Sequence, residues 1–199
     1  MFDTLYTKIA DDLVENGYCV LQNTLSSKLN EKLYKLCEDE DSFTKAGISS
    51  RKQVHIDNTK RSTSIRWLND DAAVQSEFLA FMQGVQEYLN RHLYLGLKYY
   101  ESHFAMYNRG DFYEKHFDAF AHFKNRVVTT VYYLNEMWEE EDGGALIIYD
   151  EAEEILEKIL PKMGTLVVFL SEQFAHEVLP SKKKRYSIAG WFRVDEKII

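Results

Sequence analysis

The sequence predicts an α+β protein in which a helical layer backs a β-sandwich or barrel. Two observations carry this. Before about residue 95, in three stretches set apart by a short strand and a polar loop, the apolar residues recur every three to four positions, whereas beyond Gly96 they alternate. The second half is also rich in Val, Ile, Tyr, Phe and Thr, in short runs separated by Gly, Asp, Asn or Pro. The 199 residues suffice for one domain with a sizeable core, with residues 1–95 as helical support and a loop and residues 96–195 as the β core.

Taken in order, Leu5, Ile9 and Leu13 place one amphipathic helix near residues 3–16, ended by Gly17. Tyr18 to Leu21 is a short strand. Ser26 or Ser27 caps a second helix whose buried stripe is Leu29, Leu33, Leu36 and Cys37. From Glu38 to Ser64 the chain is polar and without period, the character of a long functional loop or lid. Asp70 or Asp71 opens a third helix with Val74, Phe78, Phe81, Val85 and Leu89 on one face and Gly84 inside it. Strands are then expected at Tyr100–Tyr107, Arg126–Leu134, Ala145–Tyr149, Thr165–Leu170 and Arg185–Arg193, with another short one at Glu177–Pro180. Between Asp150 and Leu160 an acidic helix or loop interrupts the run.

Composition narrows the function classes. At 45% hydrophobic and 14% aromatic the chain is globular rather than disordered. A net charge of −8 disfavours a nucleic-acid partner, whose phosphates it would repel. Cys19 and Cys37 form no disulfide framework and read as free thiols in a reducing compartment. The N-terminus has neither the basic region nor the apolar core of a signal peptide, and no apolar run is of bilayer length. A cytoplasmic protein with no membrane partner is the expectation.

The chemistry centres on Tyr113-Glu114-Lys115-His116-Phe117-Asp118. On a strand, a spacing of two puts His116 and Asp118 on one face. An imidazole and a carboxylate side by side make two corners of the facial two-His, one-carboxylate site of non-haem Fe(II) oxygenases. Of the remaining histidines, His55 and His92 read as a loop and a helix-end residue. His103 can face inward but has no carboxylate at ligand spacing. His122, four residues after Asp118, is a candidate for the layer behind the ligands. His176 follows the strongest strand and sits on a different one, where a barrel needs its third ligand. Arg185 follows nine residues later, sharing a strand face with Ser187, Ala189 and Trp191. A guanidinium fork with a hydroxyl two residues on can grip a carboxylate. The preceding Lys182, Lys183 and Lys184 read as a solvated turn.

In this order, His116-x-Asp118, His176 and Arg185-x-Ser187 resemble the Fe(II)- and 2-oxoglutarate-dependent dioxygenases. The stretch from Tyr107 to Asp118, Tyr-x-x-Gly-x-x-Tyr-x-x-His-x-Asp, is similar to that of the prolyl hydroxylases. Thr130 to Asn135, Gly143 to Leu146, His176 to Val178, Arg185-Tyr186 and Trp191 are similar to the hypoxia-factor prolyl hydroxylases and their bacterial relatives, one of which acts on elongation factor Tu. The resemblance covers residues 95–195, and more loosely Ala46 to Ile48 and Arg61 to Trp67.

It implies a double-stranded β-helix, or jelly roll, backed by N-terminal helices. It implies Fe(II) on His116, Asp118 and His176, with 2-oxoglutarate and dioxygen as cosubstrates and ascorbate as a stimulant. Arg185 and Tyr133 would hold the distal carboxylate of 2-oxoglutarate, and Tyr107 would lie near its chelating end. Tyr113, Arg126 and Trp191 would border the substrate prolyl ring. The implied reaction couples decarboxylation of 2-oxoglutarate to succinate with hydroxylation of a proline in a protein, a translation factor or ribosomal protein being the expected target. Two positions depart from the family. Ala189 stands where a hydroxyl residue lies beside 2-oxoglutarate, leaving Ser187 to supply that contact. Arg61-Ser62-Thr63 stands where relatives carry Arg-Gly-Asp. Competing readings are an oxygenase of a free amino acid or other small molecule, a nucleic-acid demethylase disfavoured by charge, and a non-catalytic jelly-roll binding module.

Overall fold

The computed structural model describes residues 2–46, 48–50, 53–55, 60–119 and 125–195. His122 lies outside them. Three helices come where the apolar spacing places them. The first, α1 (Phe2–Glu15), buries Ile9, Ala10 and Leu13 and ends before Gly17. The second, α2 (Ser27–Cys37), is capped by Ser26, whose Oγ accepts the Leu29 amide at 3.2 Å. The third, α3 (Ala73–Leu93), buries Phe78, Phe81, Met82, Val85 and Leu89. Its cap differs from expectation. Ala72 is the N-cap residue and offers no side-chain acceptor. The Asp71 carboxylate instead accepts from the Asn69 amide. Gly84 has a packing reason, since a Cβ there would lie 2.2 Å from the Tyr6 hydroxyl of α1.

The strands form two facing antiparallel sheets. The larger runs in the order β1 (Tyr18–Leu21), β11 (Leu166–Leu170), β8 (Arg126–Tyr133), β13 (Arg185–Arg193), β6 (Tyr99–Tyr107), β5 (Ser64–Trp67) and β2 (Thr44–Lys45). The smaller runs β10 (Ile155–Ile159), β9 (Leu146–Tyr149), β12 (His176–Val178) and β7 (Tyr113–His116). A separate hairpin pairs β3 (Ile48–Ser50) with β4 (Gln53–His55).

Alternation along the large sheet builds two cores. Phe104, Met106, Tyr132, Tyr186, Ile188 and Phe192 face the helices. Ala105, Tyr107, Val131, Tyr133, Val167 and Phe169 face the small sheet, meeting Leu146, Ile148 and Val178. A sheet covered on both faces explains why its strands read as nearly unbroken apolar runs. Helices behind a two-sheet antiparallel sandwich are the expected jelly roll.

Three local expectations are corrected. The Glu38–Ser64 stretch is not uniformly without structure: a 3₁₀ turn (Glu40–Ser42), β2 and the β3–β4 hairpin lie within it, too short to leave a period. The acidic segment after Asp150 ends in a true strand, β10, edge-exposed at Ile155 and Leu156. Asp118 is not on a strand with His116. β7 stops at His116, and Asp118 follows in a bend.

Candidate active site

His116, Asp118 and His176 converge because the small sheet pairs β12 with β7, with His176 directly opposite His116. One ligand atom from each lies within 4.8 Å of the others. His116 Nε2 is 3.7 Å from Asp118 Oδ1, and His176 Nε2 is 3.5 Å from Asp118 Oδ2. The bend after β7, rather than strand alternation, turns the carboxylate toward the two imidazoles.

The groups behind these three set their state. His116 Nδ1 donates to the Glu114 carbonyl at 2.7 Å, and His176 Nδ1 to the Phe174 carbonyl at 3.2 Å. With the proton on Nδ1, each Nε2 presents its lone pair inward. Burial, then the neighbouring His176, lowers His116 to about 3, so its imidazole is neutral. Burial would raise Asp118, but the two imidazoles and Arg126 outweigh it and hold the carboxyl down at about 2. Asp118 Oδ2 accepts from Thr129 Oγ at 2.9 Å, and Ser171 Oγ lies 2.8 Å from Thr129 Oγ. Two imidazoles and one carboxylate, each oriented from behind, form a donor set suited to a divalent ion such as Fe(II).

These residues line a cavity of about 490 Å³ between the sheets. Arg185 lies at its inner end and is 1% exposed. Its Nε donates to the Gly144 carbonyl at 2.9 Å and its Nη1 to Ser187 Oγ at 3.3 Å. The Tyr107 and Tyr133 rings lie 4.7 and 5.1 Å from its guanidinium carbon. No carboxylate pairs with it among the described residues. The Tyr133 hydroxyl is also buried without a hydrogen-bond partner, and burial raises its pKa to about 12, so it remains a donor. A buried cation and an idle hydroxyl together fit a small carboxylate, which would complete both.

Tyr107, Ser187, Tyr113, Arg126 and Trp191 all line this cavity; Tyr133 lies against Arg185 outside the lining. Tyr113 stacks on His116 at 3.7 Å between ring centroids. Arg126 covers the Trp191 indole at 3.7 Å and pairs with Glu101 at 3.2 Å. Ala189 also lines the cavity, and Ser187 is the hydroxyl that Arg185 reaches.

Sequence reasoning missed Thr129 and Ser171 behind Asp118 and Lys45 and Trp67 along the lining; it named Arg61 only as part of a departing lid segment, while His103 does face inward as it allowed. Thr129 could have been found, because period-two counting puts it on one face with Val131 and Tyr133. The lining positions of Lys45 and Arg61 could not, because their strand pairings are short and long-range.

Residues 102–193 match the family model of the 2OG-Fe(II) oxygenase superfamily. Egl nine homolog 1 of Homo sapiens is 28% identical over 92% of this chain, which spans 45% of that protein; the chain covers about half the length of the human, rat and mouse Egl nine homologs. A prolyl hydroxylase of Trichoplax adhaerens, solved in complex with a hypoxia inducible factor oxygen degradation domain peptide fragment, shares the fold at 24% identity and a TM-score of 0.85, over 96% of this chain and 90% of that one. The solved structure of a Pseudomonas putida prolyl-4-hydroxylase superposes with a TM-score of 0.88 at 34% identity, over 95% of this chain and 99% of that one. Identity at that level across nearly the whole of both chains goes beyond shared architecture: this chain belongs to the Fe(II)- and 2-oxoglutarate-dependent dioxygenases, among their prolyl hydroxylases.

Proposed function

We propose that this protein hydroxylates a proline within a protein substrate, using Fe(II), 2-oxoglutarate and dioxygen. The observation that carries the reading is Arg185: a buried guanidinium with no acid partner among the described residues, in the same cavity as two histidines and an aspartate. When bound, iron and the 2-oxo acid supply the oxidising power, coupling decarboxylation to succinate with hydroxylation of an unactivated C–H bond.

The chain's own residues do the rest. His116, Asp118 and His176 would hold the ion. Arg185, Ser187 and Tyr133 bind the far carboxylate of the oxo acid, with Tyr107 beside it. Val131, Leu146, Val178 and Ala189 give this end of the cavity apolar walls that exclude water. Tyr113, Arg126 and Trp191 border the place of the prolyl ring. Support for a polypeptide rather than a free amino acid comes from the mouth, where Trp67 and Phe117 line the cavity and remain 54% and 41% exposed. The free, buried Cys19 and Cys37 support a reducing compartment, and we place the protein and its target, a translation factor or ribosomal protein, in the cytoplasm.

Purified protein given Fe(II), 2-oxoglutarate, ascorbate and oxygen is expected to form succinate, more so with cell lysate, and a lysate peptide is expected to gain one oxygen on proline. His116→Ala should abolish both, as read by mass spectrometry. Iron binding with no succinate under either condition would instead identify a non-catalytic binding module.

A further inference from the structure

The cavity lining holds a guanidinium fixed in place, with most of its donors unused among the described residues. Arg61 is bridged through its backbone to Tyr113, and its guanidinium carbon lies 4.6 Å from the Tyr113 ring centroid. Its Nε donates to Thr63 Oγ at 2.7 Å. Its Nη2 lies 3.4 Å from Nε2 of His103, an imidazole that is 2% exposed and held between Trp67 and Trp191 at 5.2 and 5.3 Å. A guanidinium can only donate, so His103 Nε2 accepts and its proton sits on Nδ1, which has no partner of its own. Burial, Arg61 and Arg126 all disfavour a charged imidazole there. A neutral, wedged His103 therefore aims Arg61. Of the five guanidinium N–H groups, three have no acceptor among the described residues.

The charges lining the cavity are unbalanced. Among the described residues that line it, Lys45, Arg61, Arg126 and Arg185 face a single acid, Asp118. Arg126 has Glu101 at 3.2 Å, and Arg185 is assigned to the oxo acid. Lys45 donates to the Ser62 carbonyl at 2.8 Å but pairs with no acid among the described residues. Two cations thus stand in the lining of a cavity in a chain whose net charge is −8. We propose that Arg61, positioned by His103 and assisted by Lys45, binds a carboxylate side chain of the substrate, so that the target proline lies in an acidic segment. The proposal rests on the prolyl reading above and narrows it to a substrate class. The chemical match is the planar fork of Arg with a carboxylate.

The test uses two degenerate pools of peptides with a central proline, one carrying Asp and Glu in the flanks and the other Asn and Gln. Hydroxyproline is measured by mass spectrometry with the full chain. The acidic pool should be hydroxylated with kcat/KM about tenfold higher or more, through KM, with the gap narrowing as salt is added. Arg61→Gln should equalise the pools. His103→Met should narrow the gap, and His103→Gln, which restores an acceptor, should recover it; circular dichroism of each variant reports folding independently. Equal rates on the two pools, or a gap that survives Arg61→Gln, overturn the proposal while leaving prolyl hydroxylation standing. Succinate formed with no hydroxyproline from either pool overturns the prolyl reading and this proposal together.

Discussion

A single hydroxyl governs the carboxylate at the centre of the site. Thr129 donates to Asp118 Oδ2 and is itself backed by Ser171, which fixes the carboxylate with Oδ2 toward His176 and Oδ1 toward His116. Thr129→Val keeps the shape and removes the donor. Outer groups of this kind typically contribute about 10- to 100-fold to metal affinity, and a weakening of that order is expected in a Co(II) titration. Arg185 makes the complementary case. Arg185→Gln removes a buried guanidinium that has no acid partner among the described residues, so on the proposed reading the 2-oxoglutarate KM should rise roughly tenfold or more while Co(II) affinity holds. Steady-state succinate formation against 2-oxoglutarate concentration checks this. An unchanged KM would place the carboxylate elsewhere.

At the scale of elements, β13 ties the site to the fold. It pairs with β6 on one side and β8 on the other, and its alternate residues supply Arg185, Ser187, Ala189 and Trp191 to the cavity and Tyr186, Ile188 and Phe192 to the helix-side core. Gly190 stands within this strand for a reason of space. A Cβ there would lie 2.2 Å from the Tyr100 hydroxyl and 2.4 Å from its ring, and that hydroxyl is already bonded to Thr130 at 2.7 Å. Gly190→Ala must displace a ring packed on Phe192 at 4.6 Å. Overpacking of this kind costs about 1–3 kcal/mol, and a lower urea midpoint is expected despite the better strand propensity of Ala. A neutral or stabilising result would show that Tyr100 swings aside freely.

At the scale of the molecule, the helices act as the backing of the large sheet. Phe78 of α3 is fully buried, with its ring 5.6 Å from that of Tyr132 on β8. Tyr132 reaches on to α2, where its hydroxyl bonds to Asn30 Oδ1 at 2.5 Å. Phe78→Ala should therefore cost roughly 3–5 kcal/mol by urea denaturation. Succinate turnover per folded molecule should persist, because Phe78 lies on the face of the sheet away from the cavity. Loss of turnover in a fully folded variant would mean that the backing also shapes the site.

Helix positions and five strands of the large sheet, β1, β6, β8, β11 and β13, were legible in the sequence because each follows from a local rule: spacing of apolar residues, a Ser cap, β-rich runs between turn residues. So was the set His116, Asp118, His176, Arg185 and Ser187, whose residue types and order carry a chemistry. Tertiary structure alone decided the rest. Asp118 faces the imidazoles through a bend after β7, not through alternation, and Thr129 and Ser171 reach it from other strands. β2 and β5 pair across residues 44–65 and bring Lys45 to the cavity, while Arg61 bridges to Tyr113; each depends on partners far along the chain. The isolation of Arg185 from any described acid likewise belongs to the packed interior. A sequence carries its periodicities and its chemical groups openly, but which group faces which, and which charge is left without a partner, is set only when distant strands close around a shared cavity.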